Sequence, residues 1–226
     1  MIIEKYNLAS ATPYSTPYYV ISAEQPGPVL MVVSGIHGNE IGSIRAAQEI
    51  VDMLNQRKLL IQRGTLLIVP IVNRQAYHKR IRGNPDLNRT FPRKRKSHAH
   101  HPLAATLFEL AQRYRPSWYL DLHEANGLSQ KNPKRLGQTL IINAKSSGVA
   151  VVKDIIKSMN GSISDQSNHF NIRLRELPGS SRTAAARILG AKAVTVETCW
   201  SLKRSVRIKY QKDIVCHFLR ISGLMR

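Results

Sequence analysis

His37 and Glu40, separated by two residues, place an imidazole and a carboxylate just after an apolar segment, residues 28–33. The apolar segment predicts a strand buried on both faces of a sheet, and the residues from Ile41 to Leu54 have the spacing of a helix. In open α/β sheets, ligands bind at the carboxyl ends of the strands. The pair therefore occupies a place suited to chemistry, although a histidine and a glutamate alone are a weak signal.

Two later strands of the predicted sheet also end in polar side chains. One leads into His123 and the last leads into Glu197. Catalytic zinc takes three protein ligands from His and Glu and leaves a fourth position for water. His37, Glu40 and His123 would make such a set, and Glu197 would be free to act as a general base.

Each of these residues also has an ordinary structural interpretation. A lone histidine at a strand end often forms a surface hydrogen bond. Glu40 and Glu124 are placed as helix-start carboxylates, which the positive end of a helix dipole favours. Glu197 has many arginines available for an ion pair. The hypothesis of a metal site depends on whether the fold brings these residues together.

Strand-like and helix-like segments alternate along the chain, which predicts an α/β fold with a mostly parallel sheet between layers of helices. The predicted strands are residues 18–22 (an edge-type strand), 28–33, 65–72, 117–122, 138–142 and 193–196. The predicted helices are residues 41–54, 103–114, 148–159, 182–189 and 206–219. Residues 73–102 and 160–181 lack periodicity and are predicted to be loops.

The composition is that of one globular domain, because 42% of the 226 residues are hydrophobic and 21% are charged. The chain has no apolar run near the roughly 20 residues that span a bilayer, and its N-terminal segment lacks the features of a signal peptide, so a cytoplasmic location is expected. Cys199 and Cys216 are expected to be free thiols. The net charge of +20 attracts polyanions, acidic small molecules and anionic surfaces.

Four short motifs occur in order along the chain: Gly35–Glu40, Asp86–Phe91, Asp121–His123 and Val196-Glu197. Together they resemble the zinc metallocarboxypeptidase superfamily, most closely its succinylglutamate desuccinylase/aspartoacylase branch, over residues 28 to about 200. The resemblance implies a three-layer αβα sandwich with a mostly parallel, mixed central sheet. It also implies a zinc hydrolase catalytic domain. A single domain over residues 1–226 is expected, since the 29 residues after Glu197 (226 − 197) are too few for the C-terminal β domain of longer relatives.

The same resemblance implies the metal and the catalytic carboxylate. One Zn²⁺ per chain would be bound by His37, Glu40 and His123, and Glu197 would accept a proton from zinc-bound water. Asp86 matches the aspartate that orients the first zinc histidine, and such partners fix the histidine tautomer.

The residues that contact the substrate follow from the second motif. Arg82 is the best match to the arginine that polarises the scissile carbonyl, with Arg80 as the alternative because the spacing is not identical. Asn88 and Arg89 match the pair that holds the substrate carboxylate, and the planar guanidinium suits that role because it binds both carboxylate oxygens. A generally basic surface is the other interpretation of these arginines.

One departure from the superfamily concerns a tyrosine that ordinary carboxypeptidases carry upstream of the catalytic glutamate. The segment between Phe170 and Glu197 contains no tyrosine and several arginines instead. This favours the deacylase branch, in which an arginine contacts an acidic substrate. Arg182 is the candidate for that contact.

These roles predict a zinc-dependent amide hydrolase, a deacylase of N-acyl amino acids that acts on a small acidic or peptide substrate. The alternative within enzymes is a metallo-carboxypeptidase or other peptidase that cleaves at acidic or γ-glutamyl residues, since Asn88 and Arg89 serve both reactions. The acyl group, the amino acid released and the oligomeric state stay open at this point.

A function of another class, nucleic-acid binding on an inactive hydrolase fold, is favoured by the net charge of +20. Against it stand an aromatic content of 6% and the absence of a recognisable nucleic-acid motif. An inactive fold would also not need the complete zinc set. The basic run Arg93–Lys96 is interpreted either as a solvated loop or as an electropositive rim that steers acidic substrates.

Overall fold

The computed structural model describes residues 1–225. Its strands are β1 (Ile2–Leu8), β2 (Thr16–Ser22), β3 (Gln25–Ser34), β4 (Arg63–Val69), β5 (Trp118–Ala125), β6 (Thr139–Ile142), β7 (Asn171–Leu174) and β8 (Lys192–Cys199). Its helices are α1 (Ile41–Asn55), α2 (Arg74–Lys79), α3 (Pro102–Tyr114), α4 (Val149–Gly161), α5 (Ser181–Leu189) and α6 (Arg204–Ile221). Among these helices, none is long and apolar enough to cross a membrane.

The strands form one mixed sheet in the order β1-β2-β4-β3-β5-β8-β6-β7. The four central strands, β4, β3, β5 and β8, run parallel to one another. β2 and β6 flank them in the antiparallel direction. Helices pack on both faces of this sheet, which confirms the predicted α/β fold with a mostly parallel, mixed sheet.

Two apolar cores lie on opposite faces of the sheet because side chains alternate along each strand. Leu120 and Leu122 of β5 join the core beneath α1, α4 and α6, whereas Tyr119 joins the core beneath α3 and α5. The apolar positions that predicted α1 are all buried: Ile44, Ala47, Ile50, Val51 and Leu54. Burial of each large aliphatic side chain stabilises the fold by about 1.5–3 kcal/mol.

The prediction of an edge strand at residues 18–22 is wrong. β2 is flanked on one side by β4 and on the other by β1, which forms the edge of the sheet. Most residues of β1 are exposed and several are charged or polar. β1 therefore lacks the apolar pattern that would reveal it, and without it β2 resembles an edge.

The two segments predicted as loops contain short regular elements. Residues 73–102 include α2 and a 3-10 turn at Leu87–Arg89, and residues 160–181 include β7. α2 has 6 residues and β7 has 4, which is too short for a hydrophobic period to show. The 3-10 turn nevertheless matters, because it carries two of the predicted substrate-binding residues.

Candidate active site

Three central strands deliver the polar side chains to one edge of the sheet. β3, β5 and β8 are parallel neighbours, so their carboxyl ends lie together. His123 of β5 pairs in register with Glu197 of β8. His37 lies in the loop just after β3, and Glu40 is the N-cap residue of α1. The fold thus brings together residues that are far apart in the sequence.

His37, Glu40 and His123 form one buried cluster. His37 Nδ1 lies 2.6 Å from Glu40 Oε1, and His123 Nδ1 lies 2.8 Å from Glu40 Oε2. The three side chains offer ligand atoms that all lie within 4.8 Å of one another. The carboxylate therefore bridges the two imidazoles.

The mutual contacts of this cluster control its charges. Burial alone would raise the pKa of Glu40, but the fields of His123 and His37 outweigh it and lower the pKa to about 2. Burial also opposes the charged form of both histidines. The carboxylates around them reverse that effect, so that the pKa of His37 is raised and the pKa of His123 is raised well above its ordinary value. A carboxylate held ionised in a buried position is suited to bind a cation.

Each histidine also has a carboxylate at its other ring nitrogen. His37 Nε2 forms a 2.9 Å hydrogen bond with Asp86 Oδ1. His123 Nε2 lies 2.9 Å from Asp121 Oδ1, which is an ion-pair distance but is out of line for a hydrogen bond. Carboxylates in this position orient metal-ligating histidines. Asp121 was not among the predicted site residues. The sequence feature that could have identified it is its position two residues before His123, which puts both side chains on the same face of the strand.

Arg82 lies beside the cluster, whereas Arg80 does not. Arg82 donates to Asp86 Oδ2 from Nε at 3.2 Å and from Nη2 at 3.1 Å, and its Nη1 lies 3.7 Å from Glu40 Oε1. The Arg80 guanidinium instead lies over the ring of Tyr77, 4.2 Å from the ring centre. Of the two arginines considered from the sequence, the fold places Arg82 at the cluster.

The 3-10 turn holds Asn88 and Arg89 next to His123. Asn88 Oδ1 accepts a hydrogen bond from the backbone N–H of Ser181 at 2.9 Å, and Asn88 Nδ2 lies 3.3 Å from His123 Nε2. Asp86 caps the turn by accepting from the Asn88 N–H at 2.9 Å. Arg89 Nη1 donates to the Asn88 carbonyl at 2.8 Å, and the Arg89 side chain is 44% exposed. Arg89 is therefore anchored at one nitrogen and accessible to a ligand.

Arg182 is enclosed by protein. Its Nη1 donates to Asn143 Oδ1 at 2.5 Å and its Nη2 donates to the Arg175 carbonyl at 3.0 Å. Burial lowers the pKa of Arg182 to about 10. The side chain of Arg175 is exposed at the same wall, and no sequence signal singled it out among the neighbouring arginines.

Glu197 stands close to the metal-ligand candidates without a partner for one of its oxygens. Its Oε2 is buried and has no hydrogen-bond partner within residues 1–225. Burial raises the pKa of Glu197 to about 7, with His123 opposing the shift and Glu40 reinforcing it. A carboxylate with this pKa can both accept and release a proton near neutral pH.

Glu124 has a structural role on the opposite face of β5. Its Oε2 accepts from the Gly42 N–H at 2.7 Å in the first turn of α1, and its Oε1 lies 2.5 Å from Arg207 Nη1 of α6. The helix-start interpretation therefore fits Glu124. Glu40, the other glutamate with that interpretation, has its carboxylate on the two histidines.

A cavity of about 270 Å³ collects the predicted residues. Those among its lining are His37, Glu40, Arg82, Asn88, Arg89, His123, Arg182 and Glu197. Asp86 lies behind His37 and Arg82 and does not line the cavity. We call this space the catalytic cavity below.

A comparison of the chain with models of protein families identifies its family. The model of the succinylglutamate desuccinylase/aspartoacylase catalytic domain matches residues 26–199. The chain belongs to this family. This is the family branch that the four motifs predicted. No curated protein matches this chain.

Solved structures share the fold of this desuccinylase/aspartoacylase domain. The Gln46His variant of the cell shape determinant Csd4 from Helicobacter pylori matches with a TM-score of 0.77 and 20% identity, over 92% of this chain and 55% of that one. The mDAP-bound form of Csd4, described as a D,L-carboxypeptidase, matches with a TM-score of 0.72 and 20% identity, over 88% of this chain and 51% of that one. An aspartoacylase family protein from Mesorhizobium loti matches with a TM-score of 0.67 and 19% identity, over 99% of this chain and 68% of that one. This chain thus spans about half the length of the Csd4 chains.

The donor set of this family member fits a divalent metal ion. Two imidazole nitrogens and a carboxylate oxygen converge in a buried position, which is the donor chemistry that catalytic zinc takes from proteins. The orienting carboxylates Asp86 and Asp121 complete that pattern. Within residues 1–225, His98, His100 and His101 do not form a second set of this kind.

Proposed function

We propose that the protein is a zinc-dependent amide hydrolase that removes the acyl group from a carboxylate-bearing N-acyl amino acid. The observation that carries the proposal is the buried cluster of His37, Glu40 and His123 beside Glu197, whose Oε2 has no hydrogen-bond partner in the described part of the chain. These side chains share one cavity with Arg89, which can bind a carboxylate of the substrate. The family membership supports the same reaction class.

One zinc ion per chain would be held by His37, Glu40 and His123. When bound, zinc supplies Lewis acidity and lowers the pKa of water at the site. Asp86 and Asp121 hold the two histidines in the orientation that binding requires.

The other residues of the catalytic cavity act on the substrate and the proton. Glu197 accepts the proton of the attacking water and delivers it to the nitrogen of the leaving amine, so that it ends the cycle ionised. Arg82 stabilises the negative charge that develops on the carbonyl oxygen. Asn88 and Arg89 hold the substrate carboxylate and thereby position the amide, and Arg182 supports the wall that presents Arg175.

A carboxypeptidase-type reaction on an acidic or γ-glutamyl peptide is the second candidate. The Csd4 structures support it, since Csd4 is described as a D,L-carboxypeptidase and has a related fold. The same residues would serve that reaction, because both substrates present a carboxylate next to an amide. In either case we propose that the chain acts as a single catalytic domain, since all the site residues lie on one sheet and its loops.

Elemental analysis and a substrate panel test the proposal. We expect one zinc per chain, and faster hydrolysis of N-acyl aspartate or N-succinyl-glutamate than of γ-glutamyl peptides. Glu197→Gln should retain zinc and lose activity by about 10²–10⁴-fold, because it removes the proton acceptor and preserves the side-chain shape. Glu109→Gln, on the exposed side of α3, is the matched control and should keep full activity.

Two results would contradict the proposal. Full activity of Glu197→Gln would show that the Glu197 carboxylate is not needed for the reaction. Protein without zinc and without hydrolase activity, combined with strongly salt-dependent binding to nucleic acid, would favour the basic nucleic-acid-binding function instead.

A further inference from the structure

We propose that a second cavity, next to the catalytic one, binds an anionic group at the distal end of an extended substrate. This inference rests on the proposed function, in its second form as a reaction on an acidic peptide. The cavity has a volume of about 510 Å³, and we call it the arginine cavity. Its lining is Asn39, Ile41, Arg80, Trp200, Arg204 and Arg207.

The arginine cavity carries positive charge that residues 1–225 neutralise only in part. Its lining has three arginines and no carboxylate. Arg207 is paired with Glu124 at 2.5 Å. Arg80 and Arg204 have no carboxylate within ion-pair distance in the described part of the chain, and both are exposed. Two guanidinium groups are therefore free to bind an anion.

The local structure keeps these two arginines in place. The Arg80 guanidinium lies over the ring of Tyr77, 4.2 Å from the ring centre, which fixes one face of the planar group. Arg204 is the first residue of α6, a helix of 18 residues without an acidic residue in its first turn. Positive side chains at this end of a helix are electrostatically unfavourable unless an anion compensates them.

Trp200 lines both this cavity and the catalytic one, so the two cavities are adjacent. Asn39 of the arginine cavity directly precedes Glu40 in the sequence. Glu40 belongs to the metal-ligand cluster, as we call His37, Glu40 and His123. A substrate that extends from the catalytic cavity past Trp200 would therefore reach the arginine cavity.

The positions of the helices give the direction in which the substrate would lie. Asn88 contacts the start of α5, which packs on one face of the sheet, whereas Arg204 and Arg207 begin α6 on the opposite face. The metal-ligand cluster and Glu197 lie at the strand ends between these faces. A substrate whose carboxylate is held by Asn88 and Arg89 would cross the catalytic groups and direct its other end toward α6.

The ligand chemistry follows from the guanidinium groups. Planar forks of N–H donors bind carboxylate and phosphate oxygens in pairs, so the distal group is an oxyanion. That oxyanion has two possible sources, a side chain of an extended peptide substrate or a free anion such as inorganic phosphate. The shared Trp200 favours a substrate side chain, because a site for a free anion would not need to lie next to the catalytic cavity.

Binding of two peptides to an enzyme that does not turn over tests the inference. The protein is zinc-loaded Glu197→Gln, and the probes are acetyl-Glu-Glu-Glu-Ala-Glu and acetyl-Gln-Gln-Gln-Ala-Glu. The peptides share the terminal residue and differ only in distal charge, and three successive acidic positions allow for the unknown span. Isothermal titration calorimetry near 0.15 M salt should show about tenfold tighter binding of the Glu-rich peptide, as expected for one charge-assisted contact.

Two double variants in that background locate the preference. Arg80→Gln/Arg204→Gln should reduce the ratio of the two dissociation constants to near one. Arg95→Gln/Arg115→Gln removes the same charge from a separate cavity lined by Gln112, Ile188 and Leu189, and should leave the ratio unchanged. Thermal melting of each variant shows whether it is folded.

The outcomes separate this inference from the proposed function. An unchanged ratio in Arg80→Gln/Arg204→Gln, or an equal loss in Arg95→Gln/Arg115→Gln, would overturn it, since the field of the whole protein would then explain the preference. Binding of inorganic phosphate that depends on Arg80 and Arg204, without any peptide preference, would overturn the substrate assignment in favour of a free anion. The calorimetric experiment measures binding and not hydrolysis. A failure of the proposed hydrolase activity and a loss of the peptide preference are therefore separate results.

Discussion

His123 and Glu197 are register partners on adjacent parallel strands, and their side chains leave the sheet on the same face. This relationship sets a histidine of the metal-ligand cluster beside the carboxylate whose Oε2 has no hydrogen-bond partner among residues 1–225. Neither residue needs a flexible loop to reach the other, since each sits on a strand buried in the centre of the sheet. Rigid elements of this kind hold catalytic groups more accurately than loops do.

Asp121→Asn should weaken zinc binding by about 10–100-fold, because the neutral amide no longer supports the imidazole of His123. Asp121 is fully buried and its Oδ2 accepts from Ser181 Oγ at 2.5 Å, so no solvent replaces the lost charge. Competition with a fluorescent zinc chelator measures the affinity. Asp52→Asn, on the exposed side of α1, is the control and should have no effect. Unaltered zinc affinity in Asp121→Asn would remove Asp121 from the site.

Arg89→Lys should raise KM about tenfold and change kcat much less, because lysine keeps the charge and loses the planar fork. The prediction depends on the proposed substrate carboxylate. Arg187→Lys is the control, since Arg187 is paired with Glu176 and does not line the catalytic cavity. Steady-state kinetics on the best substrate of the panel gives both constants. A fall in kcat at constant KM would instead place Arg89 at the reacting carbonyl.

Arg207→Met should destabilise the fold by about 3–5 kcal/mol, because it leaves the buried carboxylate of Glu124 without its cation. The Arg207 side chain is only 14% exposed and that of Glu124 is 0% exposed, so water cannot replace the pair. Adding Glu124→Gln should recover part of the loss, since glutamine still accepts from the Gly42 N–H. Urea unfolding measures all three proteins. If the double variant is no more stable than Arg207→Met, the cost is lost packing and not an unpaired charge.

Gly38→Ala should destabilise the protein by about 1–3 kcal/mol through overpacking. A Cβ at Gly38 would overlap the backbone of Ala76 and Tyr77 in α2, and neither can move as a side chain would. Gly161→Ala is the control, because a Cβ there meets no atom of the described residues within 4 Å. Thermal melting of the metal-loaded proteins compares them. Equal melting temperatures for the two variants would show that α2 can shift away from the loop that carries His37 and Gly38.

Chelation should abolish hydrolysis and leave the fold intact, since Glu40 and the two histidines satisfy one another in the absence of metal. Restoring zinc should restore activity. The melting temperature should rise with zinc concentration, because a ligand that binds only the folded state stabilises it by mass action. Circular dichroism before and after chelation checks the fold. Activity that persists at full chelation would exclude the metal from the reaction.

The sequence was sufficient for the strands and helices with a clear period. The run at residues 28–33 and the spacing of α1 identified the loop that carries His37, because buried faces impose an apolar period on the sequence. β1 and β7 were missed for the opposite reason, since exposed or very short strands impose none. The order of the four motifs was enough for the family, which the match over residues 26–199 confirms.

Only the tertiary structure decided which polar groups face one another. The sequence named Arg80 and Arg82 as alternatives, and the path of the chain after α2 put Arg82 at Glu40 and Arg80 over a tyrosine ring. It named Arg182 as a substrate contact, and packing buried that side chain against Asn143 and the Arg175 carbonyl. Periodicity in a sequence reports which faces are buried, whereas contacts between distant residues depend on strand register and loop path. The metal-ligand cluster could therefore be predicted from the sequence, whereas the positions of the arginines around it required the tertiary structure.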